Sequence, residues 1–571
     1  MYNKEIALIF DHIADMLEVR GENRFRIRAY RRAAQSLGGL AEDIENLARD
    51  KRLSEIQGIG KDLSGKIEEY IKTGRIRFYE ELQKKVGKAV LEVMSIPGVG
   101  PRTAKVLSEK FKIKGIKDLE KKARHGKIKG VPGIKEKTVS NILKGIDFLK
   151  KSGERISLGL AMEASKGIVS ALKKLPDAKR ITPAGSLRRM AETVRDIDIL
   201  VTAKRPRSIM SAFTHLPEVK EVLAHGLTKS SVVTKKNIQV DLRVVEPASF
   251  GSALCYFTGS KNHNIRLRKM AVRKKLKVNE YGVFKVKTNK KIAGKDEQGV
   301  YRALGLPFIP PELREDKGEI ELALKGRLPR LVELKDIRGD LHVHSLFSDG
   351  ELTFEEIAAA GEKMGYEYIA ITDHSKTLAI AGGLPEKTLL QNVEKVRKLN
   401  KKLGNIRLLM GTEVDILGDG RLDYNDSVLK ELDFVVAAIH SGFKQPRETL
   451  TNRLVKAMEN RYVNMIAHPT GRLMGAREPY EIDLEKVLKV AKETNTALEI
   501  NSYPERLDLD DNRTRRAREL GVVIAIGTDA HAEEQFSNMC FGVSVARRAG
   551  LEKKNVLNTR SLQEFFKKIK K

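Results

Sequence analysis

Apolar positions at the start of the chain recur with the spacing of a helix. Ile6, Leu8, Ile9, Ile13 and Leu17 form one apolar stripe, which predicts an amphipathic helix. The next run, ENRFRIRAYRRAAQSL, places arginines along a second helix that still has apolar residues for packing. We therefore predict short helices over residues 1–85, with a basic face that favours phosphate contact over a merely solvated one.

Three glycine-rich turns separate the helical patterns that follow. The runs IQGIG (56–60), IPGVG (96–100) and VPGIK (131–135) each precede a segment with helical spacing. They resemble helix-hairpin-helix units, in which the turn aims backbone N–H groups and a helix N-terminus at one DNA phosphate. A plain turn between helices is the alternative for any single copy, and the third copy departs most because Lys135 replaces its second glycine. The predicted DNA contacts are Gly58, Gly60, Gly98, Gly100 and Gly133.

The pattern becomes mixed α/β over residues 151–245, where one strand-like run carries two carboxylates. The run DIDIL alternates charged and apolar residues, so Asp196 and Asp198 share one face of a strand. A second alternating run, QVDLR, offers Asp241 as a third carboxylate. Carboxylates held together without a basic partner repel one another unless divalent cations lie between them, and oxygen ligands suit Mg²⁺ bound with phosphates.

A small, polar pair precedes this strand. Gly185 and Ser186 can bring backbone N–H groups and a hydroxyl close to an anion. A D-x-D pair alone is more typical of a solvated loop or strand end. The pair and the strand together predict a phosphoryl-transfer site.

Beyond residue 337, strand-like and helical patterns alternate, which predicts a βα barrel. In such barrels the chemistry lies at the carboxyl ends of the strands. The six histidines beyond residue 263 all stand at or just after predicted strand ends, together with carboxylates. Only the sixth run offers no ligand. The seven runs are 340–343, 368–372, 407–411, 434–439, 463–467, 497–500 and 522–527.

These histidines and carboxylates predict a metal cluster at one rim of the barrel. Imidazole with carboxylate, and no thiolate, suits Zn²⁺, Mn²⁺ or Fe²⁺. The set exceeds the needs of one or two ions, which favours three. The candidate ligands are His342, His344, Asp349, His374, Glu413, His440, His468, Asp529 and His531.

Charge divides the chain into two parts. The net charge is +31, of which residues 1–340 carry almost all, whereas residues 341–571 hold nearly equal numbers of basic and acidic residues. The basic part therefore predicts a polyanion partner. A membrane surface is disfavoured, because no long apolar run or lipidation signal is present. Two distant cysteines, Cys255 and Cys540, and the absence of a signal-peptide pattern predict a cytoplasmic protein.

The middle of the chain resembles the family X DNA polymerases, the group that contains polymerase beta. The residues that carry the resemblance are Gly185-Ser186, Asp196-x-Asp198, Asp241, the run YFTGS (256–260) and Asn279-Glu280-Tyr281. The resemblance covers about residues 1–316 and implies that the three aspartates hold two Mg²⁺ or Mn²⁺ ions. It also implies that Ser186, Arg189 and Arg155 bind a nucleoside triphosphate, that Tyr256, Phe257 and Gly259 border its sugar, and that Asn264 and Arg268 contact the base and the template.

The two ends of the chain carry further resemblances. The pieces H-x-H-S, T-D-H, H-P and D-A-H resemble the PHP (polymerase and histidinol phosphatase) domain over about residues 338–571, which implies a phosphoesterase with all nine ligand positions filled. Lys66 stands where family X members with deoxyribose-phosphate lyase activity have a Schiff-base lysine. Asp62 stands where they have another lysine, so an ordinary surface lysine is an equal alternative.

We therefore predict a multidomain enzyme. The predicted parts are a helical helix-hairpin-helix domain (1–85), helical fingers (86–150), an α/β nucleotidyltransferase palm (151–245), an α+β thumb (246–316), a linker (317–337) and a distorted (β/α)7 PHP barrel (338–571). The expected function is short-gap DNA synthesis in base-excision repair with 3′-5′ exonuclease or phosphoesterase activity, and cleavage at abasic sites is also implied. The expected partners are gapped or primer-template DNA and dNTPs, with a monomeric chain and no membrane.

Three other functions fit parts of the pattern. A DNA-end-binding protein with a silent polymerase site is disfavoured by the intact ligand sets. A small-molecule PHP phosphatase does not need the repeated phosphate-binding turns. RNA nucleotidyl transfer shares the G-S and D-x-D pattern but leaves the YFTGS run unexplained.

Overall fold

The computed structural model describes residues 3–38, 44–56, 58–94, 96, 99–128, 134, 138–139, 142–143, 146 and 155–569. The chain forms two compact units, Met1–Glu154 and Arg155–Lys571. Each unit is described by itself. Among the described residues, no helix combines the length and the apolar character needed to cross a membrane.

The first unit is helical, as predicted. The rings of Phe10 and Tyr30 meet edge to face with centroids 5.5 Å apart, which fixes the first helix against the second. A second apolar cluster, around Val99 and Leu107, lies beneath the later helices. The helices are α1 (Asn3–Arg20), α2 (Arg24–Gly38), α3 (Ile44–Arg49), α4 (Lys61–Thr73), α5 (Arg77–Val86), α6 (Lys88–Met94), α7 (Pro101–Phe111) and α8 (Ile116–Arg124).

The predicted palm contains a five-stranded sheet in the order β2-β4-β7-β6-β5 and a separate two-stranded sheet of β1 and β3. Its two central strands, β4 and β7, are parallel and buried, because alternate residues such as Ile197 and Val240 enter the core. The elements are β1 (Ile156–Ser157), α9 (Leu158–Lys173), β2 (Ala178–Pro183), α10 (Gly185–Arg188), β3 (Thr193–Val194), β4 (Asp196–Ala203), α11 (Pro206–Thr214), β5 (Val219–His225), β6 (Lys229–Thr234) and β7 (Gln239–Val244).

The thumb combines helices with a three-stranded antiparallel sheet. Its core continues into the predicted linker, since Ile320 and Leu331 pack into the same apolar cluster. The elements are α12 (Phe250–Thr258), α13 (Lys261–Arg273), β8 (Leu276–Asn279), β9 (Gly282–Lys285), β10 (Lys291–Ala293), α14 (Glu297–Ala303) and α15 (Glu319–Leu324).

The predicted PHP domain is a seven-stranded parallel sheet whose strands follow chain order. A bridge between Val343 and Ala530 brings the first strand to the last, so the sheet is a nearly closed barrel. This confirms the predicted fold. The strands are β11 (Gly339–Val343), β12 (Tyr368–Ile371), β13 (Arg407–Asp415), β14 (Phe434–Ala438), β15 (Met465–Ile466), β16 (Ala497–Asn501) and β17 (Ile524–Gly527).

Helices cover the outside of this barrel. Phe541, on the seventh of its helices in chain order, packs against both the barrel core and the palm core. The palm and the PHP domain therefore share apolar contact within the second unit. The helices are α16 (Phe354–Met364), α17 (Glu386–Leu399), α18 (Asp426–Leu429), α19 (Arg447–Glu459), α20 (Leu484–Glu493), α21 (Asp511–Leu520), α22 (Met539–Arg548) and α23 (Leu562–Lys568).

Two strands of the five-stranded palm sheet were not predicted, and neither was the short pair of β1 and β3. Strand β2 forms one edge of the sheet and β5 the other. Most side chains of β5 are exposed, so selection for an apolar face is weak along this strand. Edge strands carry less hydrophobic alternation than central ones, because they pack on one side only.

Candidate metal centres

Strands β4 and β7 bring the palm carboxylates together. Asp198 and Asp241 are direct partners across the two parallel strands, and Asp196 lies two residues before Asp198 on the same face. Asp241 is buried, whereas Asp196 and Asp198 are half-buried. The sheet register thus places three carboxylates at one edge of the palm.

The carboxylates repel one another. Burial and the charges of Asp196 and Asp241 raise the pKa of Asp198 to about 6. Burial also acts on Asp241, but hydrogen bonds from Gln239 and Lys229 outweigh it and lower the pKa of that carboxyl. The Lys229 ammonium lies 3.0 Å from Asp241 Oδ2. The cluster therefore has more negative charge than its protein neighbours balance, which fits divalent cations.

Gly185 lies directly against Asp198. Its φ is +63°, and a Cβ at this position would stand 2.6 Å from Asp198 Oδ2. Only glycine fits both the left-handed backbone and this close approach. The glycine thereby lets the Gly185–Arg188 turn, with Ser186, lie beside the carboxylates, where a phosphate bound to the turn would meet them.

The arginines of this segment are engaged with the thumb. Arg188 forms a two-pronged ion pair with Glu297, with Nη1–Oε1 and Nη2–Oε2 distances of 2.9 and 2.5 Å. Arg189 donates from Nη1 to the Thr258 carbonyl at 2.6 Å and from Nε to Glu315 at 3.0 Å. Arg155 is exposed and donates from Nε to Thr193 Oγ1 at 2.8 Å.

The predicted nucleotide and template residues cluster around the end of α12. Phe257 carries the guanidinium of Arg243 over its ring at 4.4 Å. Asn264 donates from Nδ2 to the Tyr256 carbonyl at 2.7 Å, and Arg268 donates to the Asn264 carbonyl at 3.4 Å. The candidates at this end of α12 are Tyr256, Phe257, Gly259, Asn264 and Arg268.

The described part of the first unit holds three of the five predicted glycine contacts. Gly60 and Gly100 precede α4 and α7 as their N-caps, so each glycine leads the chain into a helix N-terminus as a phosphate contact requires. Gly58 has a φ of +84°. Gly98 and Gly133 lie outside the described residues.

Lys66 is paired rather than free. Its Nζ lies 2.5 Å from Asp62 Oδ1 and 5.3 Å from the centre of the Phe78 ring. Attack on an aldehyde requires the amine to leave this ion pair. A lyase role for Lys66 stays a prediction.

The PHP barrel gathers all nine candidate ligands at one rim. They come from the ends of six strands or the loops just after them, except that Glu413 lies inside β13, which runs to Asp415. Glu413 is central, with its carboxylate oxygens 2.8 Å from His468 Nε2 and 3.0 Å from His374 Nδ1. Three ligand groups have atoms close enough for a shared ion: His344, Asp349, His374 and His531; His342, His344 and Asp529; and His374, Glu413 and His440.

Histidine and carboxylate set each other's ionisation in this cluster. Burial raises the pKa of Glu413, but His440, His342 and His374 outweigh it and hold the pKa far below its ordinary value. The same balance keeps the carboxyls of Asp349 and Asp529 ionised, because histidines lower the pKa of each.

The histidines themselves divide into two classes. Burial opposes charge on His374 and His440, but neighbouring carboxylates raise their pKa values to about 10 and about 9. Burial, reinforced by nearby cations, lowers the pKa of His344 to about 3 and that of His468 to about 4. The cluster thus mixes ionised carboxylates with two neutral imidazoles that are ready to donate a lone pair.

A second layer of polar residues orients the ligands, and the sequence did not predict it. Glu499 accepts from His342 Nδ1 at 2.7 Å and from the His468 backbone N–H at 2.6 Å. Asp415 bonds His440 Nδ1 at 2.6 Å, and Asn501 donates to Asp529 at 3.0 Å. Glu499 and Asn501 lie on β16, the strand that offers no ligand, and a polar residue inside the buried run ALEIN was the available signal.

The candidate ligand atoms of the PHP cluster fit bound metal ions. Among the described residues, the buried ring nitrogens His342 Nε2, His344 Nδ1 and His344 Nε2 have no hydrogen-bond partner. An unpaired buried nitrogen costs free energy unless an electron-pair acceptor meets it. Hydrogen bonds from the ring N–H groups of ligating histidines to outer carboxylates are also typical of metal sites.

Four family models match segments of the chain. A helix-hairpin-helix domain matches residues 1–76 and a SAM-like helix-hairpin-helix tandem matches 90–147. The DNA polymerase beta thumb matches residues 253–315, and the PHP domain matches 340–503. These matches agree in order with the architecture described above.

Individual relatives cover the chain to different extents. The DNA polymerase/3′-5′ exonuclease PolX of Bacillus subtilis (strain 168) is 39% identical over 566 residues, which span 99% of this chain and 98% of that protein. A probable phosphatase of Thermoanaerobacter sp. (strain X514) is 31% identical over 245 residues, 41% of this chain and 95% of that protein. The solved structure of Leishmania infantum polymerase beta in a ternary gap complex covers 43% of this chain and 96% of its own at 22% identity, with a TM-score of 0.27.

Proposed function

Because the chain belongs to the PolX family of DNA polymerase/3′-5′ exonucleases, we propose that it fills short gaps in base-excision repair and processes DNA 3′ ends with its PHP domain. It is an enzyme with two activities, DNA-directed DNA polymerase and 3′-5′ exonuclease. The observation that carries this proposal is 39% identity to a PolX along the whole chain. The two ligand clusters, one in the palm and one in the PHP barrel, support it.

For the palm, we propose that Asp196, Asp198 and Asp241 hold Mg²⁺ or Mn²⁺. Such ions, when bound, activate the primer 3′-OH and neutralise charge on the triphosphate. The turn beside Asp198 receives the phosphates, because Gly185 lets its backbone approach. The further roles are phosphate binding by Gly185, Ser186, Arg189 and Arg155, sugar contact by Tyr256, Phe257 and Gly259, a base-edge contact by Asn264 and a template contact by Arg268.

For the PHP domain, we propose that the nine-residue cluster holds three ions of Zn²⁺, Mn²⁺ or Fe²⁺. Bound ions of this kind generate a nucleophile from water at neutral pH and polarise a phosphoryl group. Glu413 joins ligand groups, since its carboxylate lies 3.0 Å from His374 of its own group and 3.5 Å from His342 of another. Glu499 and Asp415 keep His342 and His440 in place through hydrogen bonds to their Nδ1 atoms.

The basic part of the chain, residues 1–340, binds the DNA. The turns before α4 and α7 point helix N-termini outward from glycine N-caps, which suits contacts to the backbone of a gapped or primer-template duplex. Such contacts carry no base specificity, as repair of arbitrary sequences requires. We propose a cytoplasmic monomer that takes DNA and dNTPs as substrates.

The test is a crossed pair of substitutions on gapped DNA with a labelled primer. Asp198→Asn removes a carboxylate from the palm alone, so extension should fall by about a thousandfold or more while trimming stays within twofold. His344→Ala removes a shared PHP ligand and should give the reverse. Loss of both activities in either folded variant would contradict the claim that the two sites act independently. A wild-type chain that does not extend the primer would contradict the polymerase assignment.

A second activity of the PHP domain is favoured by the similarity to a probable phosphatase. We propose that the same cluster removes a 3′-terminal phosphate and cleaves at abasic sites, since both reactions present a phosphoryl group to the same ions. Duplexes with a 3′-phosphate or an abasic site, compared with p-nitrophenyl phosphate, test this. Faster turnover of p-nitrophenyl phosphate than of either duplex would instead indicate a small-molecule phosphatase.

A further inference from the structure

Two arginines of the PHP domain hold the palm segment that links the phosphate-contacting turn to the catalytic carboxylates. This segment, Arg189–Glu192, directly follows α10 and ends four residues before Asp196. Arg548, at the end of α22, reaches its first residue, and Arg472, in the loop after β15, reaches its last. The contacts lie within the second compact unit.

Arg548 is bound to Arg189 in two ways. Its Nη1 donates to the Arg189 main-chain carbonyl at 2.8 Å and to Glu315 Oε1 at 3.0 Å. The same oxygen of Glu315 accepts from Arg189 Nε at 3.0 Å. One carboxylate therefore connects the two guanidinium groups, so Arg548 fixes both the backbone and the side chain of Arg189.

The network of Arg548, Glu315 and Arg189 is buried, and its positive charges are balanced by carboxylates. The side chains of Arg548, Glu315 and Arg189 are 8%, 17% and 14% exposed. Asp511 Oδ2 accepts from the other end of the Arg548 guanidinium at 2.9 Å. Buried charge-assisted hydrogen bonds of this kind are strong and geometrically specific, because the planar guanidinium fixes the positions of its acceptors.

Arg472 forms a parallel contact. It pairs with both carboxylate oxygens of Glu192, at 2.8 and 3.1 Å. Its Nε donates to the Arg506 carbonyl at 2.7 Å, and its Nη2 also bonds the Leu507 carbonyl. The palm segment is thus attached at both ends to the PHP domain, at one end to a helix terminus and at the other to a loop.

We propose that Arg548 of the PHP domain is a positioning residue of the polymerase site. It holds Arg189 at the end of the Gly185–Arg188 turn, where the incoming triphosphate binds, and so makes nucleotide binding depend on the PHP domain. This inference rests on the proposed polymerase function and on the phosphate-contacting role of Arg189. It assigns the PHP domain a second task that does not involve its metal cluster.

The test compares Arg548→Gln with Arg547→Gln in the full-length chain. Arg547 is the adjacent residue and also crosses from α22 to the thumb side, donating to Glu312 at 2.8 Å and to the Val332 carbonyl at 2.9 Å. Neither of these hydrogen bonds reaches Arg189, so Arg547→Gln controls for general weakening of the contact between α22 and the rest of the second unit. The readouts are the KM for dNTP and kcat in single-nucleotide gap filling, the Kd for dNTP on a dideoxy-terminated primer, and 3′ trimming.

Arg548→Gln should raise the dNTP KM and Kd by about ten- to a hundredfold, because small displacements of a positioned group have effects of this size. The KM for DNA and the trimming rate should stay within twofold of wild type, and Arg547→Gln should leave the dNTP KM unchanged. Arg548→Lys should have a dNTP KM between those of wild type and Arg548→Gln, since an ammonium keeps one contact but not the planar geometry.

Equal dNTP KM values for Arg548→Gln and Arg547→Gln overturn the proposal, as does a loss of trimming that parallels the loss of extension. If Arg548→Gln unfolds, Arg548→Lys decides: a raised dNTP KM with normal trimming supports positioning, and a wild-type KM overturns it. A wild-type chain that fails to extend any primer refutes the polymerase function itself, which is a separate outcome.

Discussion

The palm and PHP clusters differ in how much of their metal coordination the protein itself supplies. The palm offers three carboxylates on two adjacent strands, with one lysine, Lys229, close to Asp241. The PHP barrel offers nine candidate ligands from six strands, eight of which fall into groups close enough to share an ion, and four of its six histidines are buried. A site with few ligands leaves positions for substrate phosphates, whereas a site with many binds ions without substrate.

Their electrostatics differ in the same direction. In the palm, burial and the charges of neighbouring carboxylates raise the pKa of Asp198 to about 6, so the metal-free cluster is partly protonated near that pH. In the PHP barrel, histidines alternate with carboxylates and hold the pKa of Glu413 and Asp529 low. We therefore expect the palm to assemble its ions together with the nucleotide, and the PHP domain to hold its ions without substrate.

The largest expected effect is the loss of primer extension, but not of trimming, when Mg²⁺ is removed from the buffer. Passage of the chain into buffer without Mg²⁺ should lower extension by about a thousandfold or more, since several kcal/mol of charge stabilisation is lost. Trimming should stay within twofold in the same sample. A strong chelator should then abolish trimming, and Mg²⁺ alone should restore extension only. Parallel loss of extension and trimming on desalting would contradict the expected difference in metal retention between the palm and the PHP cluster.

A smaller effect is expected from the outer layer of the PHP cluster. Glu499→Ala removes the acceptor for His342 Nδ1 and for the His468 backbone. Loss of such an outer partner costs about 10- to 100-fold in metal affinity or activity. Trimming and metal affinity should fall by this factor while extension is unchanged. Glu493→Ala, on the exposed face of α20, is the matched control, and an equal loss there would assign the effect to stability.

The smallest effect is on stability and has opposite signs in the two centres. Asp198→Asn should raise the free energy of unfolding of the metal-free chain by about 1–3 kcal/mol, because each unit of pKa shift corresponds to about 1.4 kcal/mol. Asp415→Asn should lower it, since His440 loses its partner. Denaturant titration of both variants in the presence of a chelator measures the two changes.

The pH dependence of this gain follows from the direction of the shift. The folded-state pKa of Asp198, about 6, lies above its ordinary value of 3.8, so the native state binds the extra proton. Wild-type stability therefore falls as pH rises from about 4 to about 6, and the advantage of Asp198→Asn appears over that window. It should be constant above the window and absent below it. An advantage that persists below pH 4 would show that charge repulsion is not its cause.

The sequence was sufficient where periodicity and chemistry coincide. All seven barrel strands were predicted because each is a buried apolar run followed by a ligand or a turn, and the parallel arrangement then brings the strand ends to one rim. The placement of Asp241 on a strand next to that of Asp196 and Asp198 was also expected from two alternating runs, although its register opposite Asp198 was not. These features are local in sequence or follow from the topology of the fold.

Contacts between distant segments could not be predicted in this way. The bond between Glu499 and His342 joins residues 157 apart in the chain, and that between Arg548 and Arg189 joins residues 359 apart. A buried glutamate or a terminal helix arginine has no periodic signal, because its partner is set by three-dimensional packing. The edge strands β2 and β5 were missed for a related reason, since their exposed faces carry no alternation.

The central claim is that one centre is complete within the protein and the other is completed by substrate. Metal analysis of extensively dialysed wild type, Asp198→Asn and Glu413→Ala tests it directly. Wild type and Asp198→Asn should both retain about three ions per chain, one for each ligand group of the PHP cluster, whereas Glu413→Ala should lose most of them. Metal-free wild type, equal metal content in Glu413→Ala and wild type, or loss of ions in Asp198→Asn would contradict the account.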